Sequence, residues 1–516
     1  MVADTSDHAV QRVVIVGGGS AGWLTAGLLA AAHRGRIQLT LLESPAVPPI
    51  GVGEGTWPTM RDSLRDIGVS EADLIRECDA SFKQGSRFNR WATGHPNERY
   101  FHPFVLPQGY TEVDLASAWL QSAVPMPFGE SVSFQPHLCL HGRAPKQFST
   151  PEFAAVANYG YHFDAGKFGV FLREHSVSRL GVQHVLDDVV AVRPHDNGDI
   201  AAVQTQHHGA IEGDLFIDCT GLQSLLLGQH YGVRLVSRKH VLFCDTALAS
   251  QVPYPSDNAP IASQTLSTAQ PHGWVWDIGL PTRRGVGLVY SSAHTSEDEA
   301  RAALRAYLAD TGAPPGLPEA RKLSFEPGHR ETFWHRNCLA IGLAAGFLEP
   351  LEASALALIE YSATFLRDQL PATREAIDIV ARRFNAGHHY RWDRIVDFLK
   401  LHYVLSARED SDFWRDNRQA ASVPASLQDA LVMWRHRPPS RHDLVRHDEA
   451  FPSASYQYVL YGMGFKPERH SISHTDAERA HGYFQEAAQL TRRMLPALPG
   501  NRELIEHIRR HGLPSI

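Results

Sequence analysis

A chain of 516 residues is long for a single core and predicts two or three subdomains. Its 43% hydrophobic and 20% charged content, with no low-complexity tract, is that of a globular protein and excludes a disordered or fibrous one. A formal charge of −7 and a pI near 6.5 argue against nucleic acid as the main partner, since such binders present a basic face.

Arg12–Gly17 (RVVIVG) is a short apolar run ending in glycine and predicts a buried parallel strand. Ser20–Ala32, rich in alanine and leucine, predicts a helix, and Ile37–Glu43 predicts a second strand that completes a βαβ unit. The run Leu24–Ala32 is too short to span a bilayer and no secretory pattern opens the chain, so a cytoplasmic location without membrane contact is expected. The glycine- and proline-rich loop Pro45–Pro58 leads to a helix near Thr59–Ile67. Tyr161–Leu180 reads as one helix and Val182–Val192 as strand pairs. Leu215–Asp218 reads as a buried strand that runs into Cys219-Thr220-Gly221.

In Gly273–Pro281 (GWVWDIGLP), Trp274 and Trp276 share strand parity and give one strand face an aromatic wall. Gly285–Ser291 alternates as a strand, Cys338–Ile341 is a last short strand, and Ala353–Leu370 a long helix. From about Glu375 the pattern is almost wholly helical and aromatic-rich. Cys78, Cys139, Cys219, Cys244 and Cys338 form no CxxC and are odd in number, which fits a reducing compartment rather than a disulfide framework or a zinc site. His207-His208 and His388-His389 lack the i,i+4 spacing and third ligand of a metal site. Both pairs are expected as solvated surface histidines, with no metal.

Gly17-Gly18-Gly19-Ser20-Ala21-Gly22 satisfies GxGxxG between a strand and a helix, and Glu43 ends the next strand. Gly17 makes the tight turn, Gly19 lets the backbone approach a pyrophosphate, and Gly22 lets helix and strand pack closely. Ser20 and Ala21 open the helix whose N-terminus favours phosphate charge, and Glu43 is placed to accept ribose hydroxyls. No second GxGxxG follows for a nicotinamide cofactor. LFIDCTG, with Asp218, is where FAD enzymes return toward the cofactor, so FAD is the expected dinucleotide and its electrons must come from elsewhere. A dinucleotide site joined to an aromatic wall predicts redox chemistry in a walled compartment.

These segments together resemble the flavin-dependent tryptophan halogenase family: GGGSAGW (Gly17–Trp23), GVGEGTWP (Gly51–Pro58), SFKQGSRFNRW (Ser81–Trp91), YHFDAGKFGVFL (Tyr161–Leu172), LFIDCTG, WVWDIGLP (Trp274–Pro281), GFLEPLEAS (Gly346–Ser354) and RIVDFLKLHYVLSAREDSDFW (Arg394–Trp414). The resemblance implies an α/β fold with a Rossmann-like FAD-binding box of interleaved sheets over residues 1–375, and a mainly helical pyramid over 376–516. It implies FAD used as FADH2, chloride or bromide, O2, a separate NAD(P)H-dependent flavin reductase, a small aromatic substrate and a possible homodimer. Hypohalous acid formed at the flavin would travel through a tunnel to the arene.

Lys83 matches the family's catalytic lysine, which hydrogen-bonds hypohalous acid or forms a haloamine. Glu352 matches the active-site glutamate that stabilises the ring cation and takes its proton. The resemblance places FAD contacts at Gly53 as well as at the glycine turn, and halide contacts at the amides of Ser354 and Ala355. His102 and Phe104 resemble the aromatic substrate sandwich. The C-terminal aromatic that closes over the indole in some members has no evident match here; Ser455–Tyr461 offers tyrosines instead, Tyr456 among them, so an indole or other electron-rich aromatic is as much expected as free tryptophan. Trp274 and Trp276 would keep arene and flavin apart. The family's proline after that strand is here Gly279, which predicts a more flexible turn, and a serine expected beside Glu352 is Ala353. An aromatic hydroxylase would share FAD and oxygen but need neither Lys83 nor the tryptophan wall. A non-catalytic FAD-binding protein would need no Glu352.

Overall fold

The run Arg12–Val16 becomes an interior strand of a six-stranded sheet, because its uninterrupted apolar side chains are buried on both faces. In order across the sheet stand Trp334–His335, Cys338–Ala340, Leu215–Asp218, Arg12–Val16, Gln38–Glu43 and Gln183–Leu186. All neighbours pair in parallel except the edge hairpin made by the first two strands. The helix Ser20–Ala32 follows the glycine turn and is apolar all round, with Gly22 to Ala30 buried. It packs against the helices Ala165–Leu180 and Ser354–Asp368. The computed structural model describes residues 9–46, 53–122, 126–446, 448–468 and 472–514. Residues 47–52, which include Gly51 and Val52 of the GVGEGTWP stretch and the middle of the predicted loop, lie outside the described residues.

The chain groups into two compact units, each built from three segments. One comprises Met1–Asp79, Phe163–Arg238 and Glu326–Trp392; the other comprises Ala80–His162, Lys239–Phe325 and Asp393–Ile516. This partition cuts the chain five times and differs from a single boundary near residue 375. The last cut falls inside the 31-residue helix Arg374–Val404, and all regular elements described beyond that helix are helical.

The second unit holds a seven-stranded sheet in the order Arg321–Ser324, Thr246–Pro253, Arg283–Tyr290, Gly273–Gly279, Thr265–Gln270, Gly85–Asn89 and Arg99–Pro103. Only Thr265–Gln270 and Gly85–Asn89 pair in parallel. One face packs on the helix Glu297–Asp310, whose Ala300, Leu304 and Leu308 meet Leu248, Val275, Val286 and Leu288. That helix begins in a Ser296/Glu299 capping box, which satisfies first-turn amides that would otherwise lack partners. The other face carries Trp274 and Trp276, as alternation requires.

Three local expectations are corrected. Tyr161 to Asp164 belong to the strand Gly160–Asp164, and the helix starts only at Ala165. The reason is Asp164, whose side chain accepts the amides of Gly166 and Lys167 at 3.0 and 3.2 Å as an N-cap. The strands in Val182–Val192 do not pair with each other: Gln183–Leu186 joins the parallel sheet, and Val189–Pro194 pairs with Ile200–Thr205. Gly279 is no flexible hinge. It is buried in the strand, paired with Arg284, and its carbonyl accepts the Ser81 hydroxyl at 2.5 Å. A side chain there would meet Ile261 and Tyr254 at 3.0 Å, so close packing favours glycine.

His388 corrects the histidine reading as well, while His207 and His208 are exposed. His388 is 1% exposed and stacks on Phe384 at 4.7 Å, with Phe333 edge-on at 4.5 Å. Burial holds its imidazole well below its usual range, hence neutral. Phe384, His388 and Trp392 recur every four residues along one helix face, a spacing that marks the position as core.

Between the helices Met60–Ile67 and Ser354–Asp368, the 3% exposed Glu360 accepts the Ser63 and Thr59 hydroxyls at 2.7 and 3.2 Å. Desolvation, only partly offset by those hydroxyls, raises its carboxyl to about 8. A raised folded-state value means that the folded chain holds a proton the unfolded chain has released. Stability from this group is complete below the unfolded value and is lost as pH climbs through about 8. Glu360→Gln is expected to flatten the fall in Tm between about pH 4.5 and about pH 8 and to exceed the parent at the alkaline end. Parallel Tm–pH curves for the two proteins would show that Glu360 does not carry this dependence.

Candidate active-site residues

The glycine turn is built by close approaches that only glycine allows. Gly17 has φ +116, and a Cβ there would lie 2.2 Å from the Cys219 carbonyl oxygen. A Cβ at Gly18 would lie 2.2 Å from the Glu43 carboxyl carbon, and one at Gly22 would lie 1.9 Å from the Gly17 carbonyl oxygen. Gly19 faces open space and caps the helix Ser20–Ala32 without a side-chain hydrogen bond. First-turn amides of such a helix have no intrahelical partners, so an accessible, uncapped N-terminus fits a pyrophosphate. Glu43 stands against the turn, with its Oε2 3.0 Å from His184 Nε2. The donor set and the cradle therefore fit a dinucleotide.

Gly17→Ala is expected to abolish FAD binding, because the new methyl group collides with backbone and φ is unfavourable for alanine. The check is flavin fluorescence quenching on titration into folded protein. Undiminished binding would remove this turn from the cofactor site.

Asp218, the cofactor-side residue of LFIDCTG, braces its own turn. It is fully buried, and Oδ1 accepts the Thr220 amide and hydroxyl at 3.1 and 2.6 Å. Oδ2 accepts the Leu226 and Leu227 amides at 2.9 and 2.8 Å and the Ser224 hydroxyl at 3.3 Å. The carboxylate is spent on bracing its own turn, which holds the Cys219 carbonyl against Gly17. Gly53 is buried and begins the short strand Gly53–Gly55.

Glu352 and Ala353 precede the helix Ser354–Asp368 with φ of +64 and +55, two successive left-handed non-glycine residues. Such backbone costs energy and persists where surrounding structure enforces it. Here the Glu352 carbonyl accepts the Trp57 indole N–H at 2.8 Å. The Glu352 side chain is 6% exposed. Ser354 is buried and Ala355 half-buried in the first helical turn, and Ala353 supplies no side-chain cap. Gly342 brings the preceding segment within 2.8 Å of the Ala21 methyl group, measured from the Cβ it lacks, so the Glu352 helix and the dinucleotide helix pack closely.

In the second unit Lys83 ends the strand Ser81–Lys83 and pairs with Gly160. It is 1% exposed, and its ammonium lies 5.4 Å from the centre of the Phe104 ring. Burial first, and then the Lys83 charge, keep the neighbouring His162 well below its usual range; its Nε2 lies 2.8 Å from the Thr265 hydroxyl. Gly85, at φ +134, allows the backbone after Lys83 to approach the His102 carbonyl, since a Cβ would lie 2.4 Å from it.

His102 and Tyr456 fall in one aromatic cluster. His102 Nε2 is 2.8 Å from the Ser455 hydroxyl, and its ring is 5.6 Å from Phe398, which meets Tyr456 edge-on at 4.9 Å. Trp274 and Trp276 stand edge-to-face at 6.5 Å, and Trp91 extends the wall at 6.3 Å from Trp274. Gly287 lies beneath the Trp276 ring, where a Cβ would be 2.2 Å from it. Trp57 and Trp91 belong to motifs visible in the sequence, but their partners do not follow from spacing. Among the described residues no three of His, Cys, Asp and Glu converge on a metal site, and no helix is long and apolar enough to cross a membrane.

Residues 12–478 match the family model described as tryptophan halogenase. A tryptophan 6-halogenase of Streptomyces toxytricini is 33% identical, with 96% of this chain and 97% of the relative covered. The crystal structure of a tryptophan halogenase from Shewanella frigidimarina NCIMB 400 is 47% identical, superposes with a TM-score of 0.95, and covers 99% of this chain and 100% of that one. A tryptophan C-6 flavin-dependent halogenase (chlorinase) from taromycin biosynthesis is 32% identical, with a TM-score of 0.90 over 97% of this chain and 100% of its own.

Proposed function

Since the chain belongs to the flavin-dependent tryptophan halogenase family, we propose that it halogenates an electron-rich aromatic ring of indole or tryptophan type with chloride or bromide. Bound FAD, reduced by a separate NAD(P)H-dependent reductase, would supply hypohalous acid from O2 and halide. Gly17, Gly19, Ser20, Ala21, Gly22, Glu43 and Gly53 hold the cofactor, and the amides of Ser354 and Ala355 hold the halide. Lys83 receives the hypohalous acid. Its ammonium donates a hydrogen bond to the oxygen and polarises the O–X bond, or its free amine takes the halogen as a haloamine. As the ring carbon bonds to halogen in the first route, the O–X bond breaks and the departing hydroxide takes a proton from the Lys83 ammonium to leave as water. Glu352 stabilises the ring cation and takes the ring proton. His102, Phe104 and Tyr456 contact the arene, while Trp274 and Trp276 separate it from the flavin.

The observation that carries this reading is Lys83: a buried ammonium set over an aromatic ring, in a chain that matches the family over residues 12–478. Burying an ammonium is costly unless something in the interior uses it. The test combines purified protein, FAD, a flavin reductase, NADH, O2, indole or tryptophan, and either halide, followed by mass spectrometry. A halogen isotope pattern in the product is expected. Oxygen incorporation from O2 that ignores halide would replace this reading with an aromatic hydroxylase.

A further inference from the structure

Phe104 lies just past the strand Arg99–Pro103, and its peptide groups are held on both sides. Gln135 is fully buried; its Oε1 accepts the Phe104 and Val105 amides at 2.8 and 3.0 Å. Its Nε2 donates to the Asn158 carbonyl at 2.6 Å and to Gln84 Oε1 at 3.4 Å. Asn158 closes the ring of contacts, its Nδ2 donating to the Phe104 carbonyl at 3.0 Å. Gln84 directly follows Lys83, and its carbonyl receives the Phe104 amide at 3.4 Å while its own amide donates to the Ser263 carbonyl at 2.7 Å.

Both acceptor positions and both donor hydrogens of the Gln135 amide are used, and its orientation is fixed by partners of a single type at each end. A buried amide is expensive unless fully satisfied, and a leucine of similar size would suit a core better, so packing alone does not explain this residue. Two of the four bonds hold the backbone that carries Phe104, a third holds Asn158, whose side chain holds the Phe104 carbonyl, and the fourth reaches the side chain of Gln84, the residue after Lys83.

We propose that Gln135 and Asn158 are positioning residues that fix the Phe104 ring against the Lys83 ammonium, so that the aromatic wall and the lysine are held as one body. The proposal rests on the assignment of Lys83 and Phe104 to the halogenation site. It makes Gln135 and Asn158 determinants of how the arene is presented, without direct contact to it.

The experiment uses full-length, FAD-loaded protein with 4-fluorophenylalanine at position 104, as parent, Gln135→Leu and Asn158→Ala. The parent is expected to give one sharp 19F resonance, and each variant a broadened or divided one. On the unlabelled proteins, KM for the aromatic substrate is expected to rise about tenfold with kcat held within about threefold, the scale of one lost buried hydrogen bond. A merely structural role would lower Tm and the yield of folded protein but leave the 19F line shape and KM of the folded fraction unchanged, and that result overturns the proposal. A changed spectrum with unchanged KM overturns it as well. Asn158→Ala removes one bond rather than four and carries the test where Gln135→Leu does not fold. A parent that fails to halogenate defeats the functional reading instead, and its 19F spectra still decide whether the clamp holds Phe104.

Discussion

Lys83→Ala is expected to abolish halogenation, by at least about 10³-fold in kcat, while FAD still binds and the reductase-coupled system still consumes NADH. The size of the effect follows from where the lysine stands. Its ammonium is 1% exposed, so water cannot replace it as a donor to hypohalous acid. Neither His162 nor Phe104 can take over: burial keeps His162 uncharged, and Phe104 has no polar atom. Alanine also leaves a cavity in a packed interior, which costs about 2–5 kcal/mol for a large-to-alanine change. Lys83→Met is therefore the sharper variant, because it fills most of the space without charge. With the ammonium removed, one of the two influences that depress the His162 imidazole is lost, so NMR titration should show His162 moving upward yet remaining low. Halogenated product from Lys83→Met at more than about a tenth of the parental rate would remove the lysine from the chemistry.

The elements legible in the sequence are those fixed by local periodicity. Arg12–Val16, Ser20–Ala32 and Leu215–Asp218 were recognisable because continuous apolar runs and an alanine-rich helix each have one stable context. The mixed stretch from Tyr161 is ambiguous in sequence because tyrosine and phenylalanine suit helix or strand, and only the Asp164 cap decides the boundary. Site residues divide in the same way. Gly17 and Gly22 announce themselves, since close backbone approach leaves glycine no substitute. Lys83 was legible only through resemblance; nothing in SFKQG says that the ammonium is buried. Gln135 and Asn158 were invisible because their targets lie 23 to 54 residues away in sequence with no repeating pattern to betray them. Gly279 is ambiguous for a related reason. Glycine in a strand signals either freedom or lack of space, and only the positions of Ser81, Ile261 and Tyr254 show that it is lack of space.

Glu352→Gln is expected to lower kcat about 10²-fold with little change in fold or FAD affinity, because glutamine keeps the volume and backbone but supplies no negative charge or proton acceptor for the ring. The carbonyl that receives the Trp57 indole belongs to the backbone and survives the substitution, so tryptophan fluorescence should be unaltered. A variant within about threefold of parental kcat would assign Glu352 a purely structural place at the helix entrance. The left-handed backbone offers an independent test of the same idea. Glu352 and Ala353 hold φ of +64 and +55, conformations that cost a side-chain-bearing residue about 1 kcal/mol or more each. Glu352→Gly should relieve that strain, raising Tm while activity falls with the lost carboxylate. Ala353→Gly should raise Tm by the same physics, but it removes no functional group and should leave kcat near the parental value. If strain alone tuned the site, both glycine variants would lose activity together. Opposite activities at equal relief of strain would place the function in the Glu352 carboxylate, and the strained pair of residues would be the cost of holding it there.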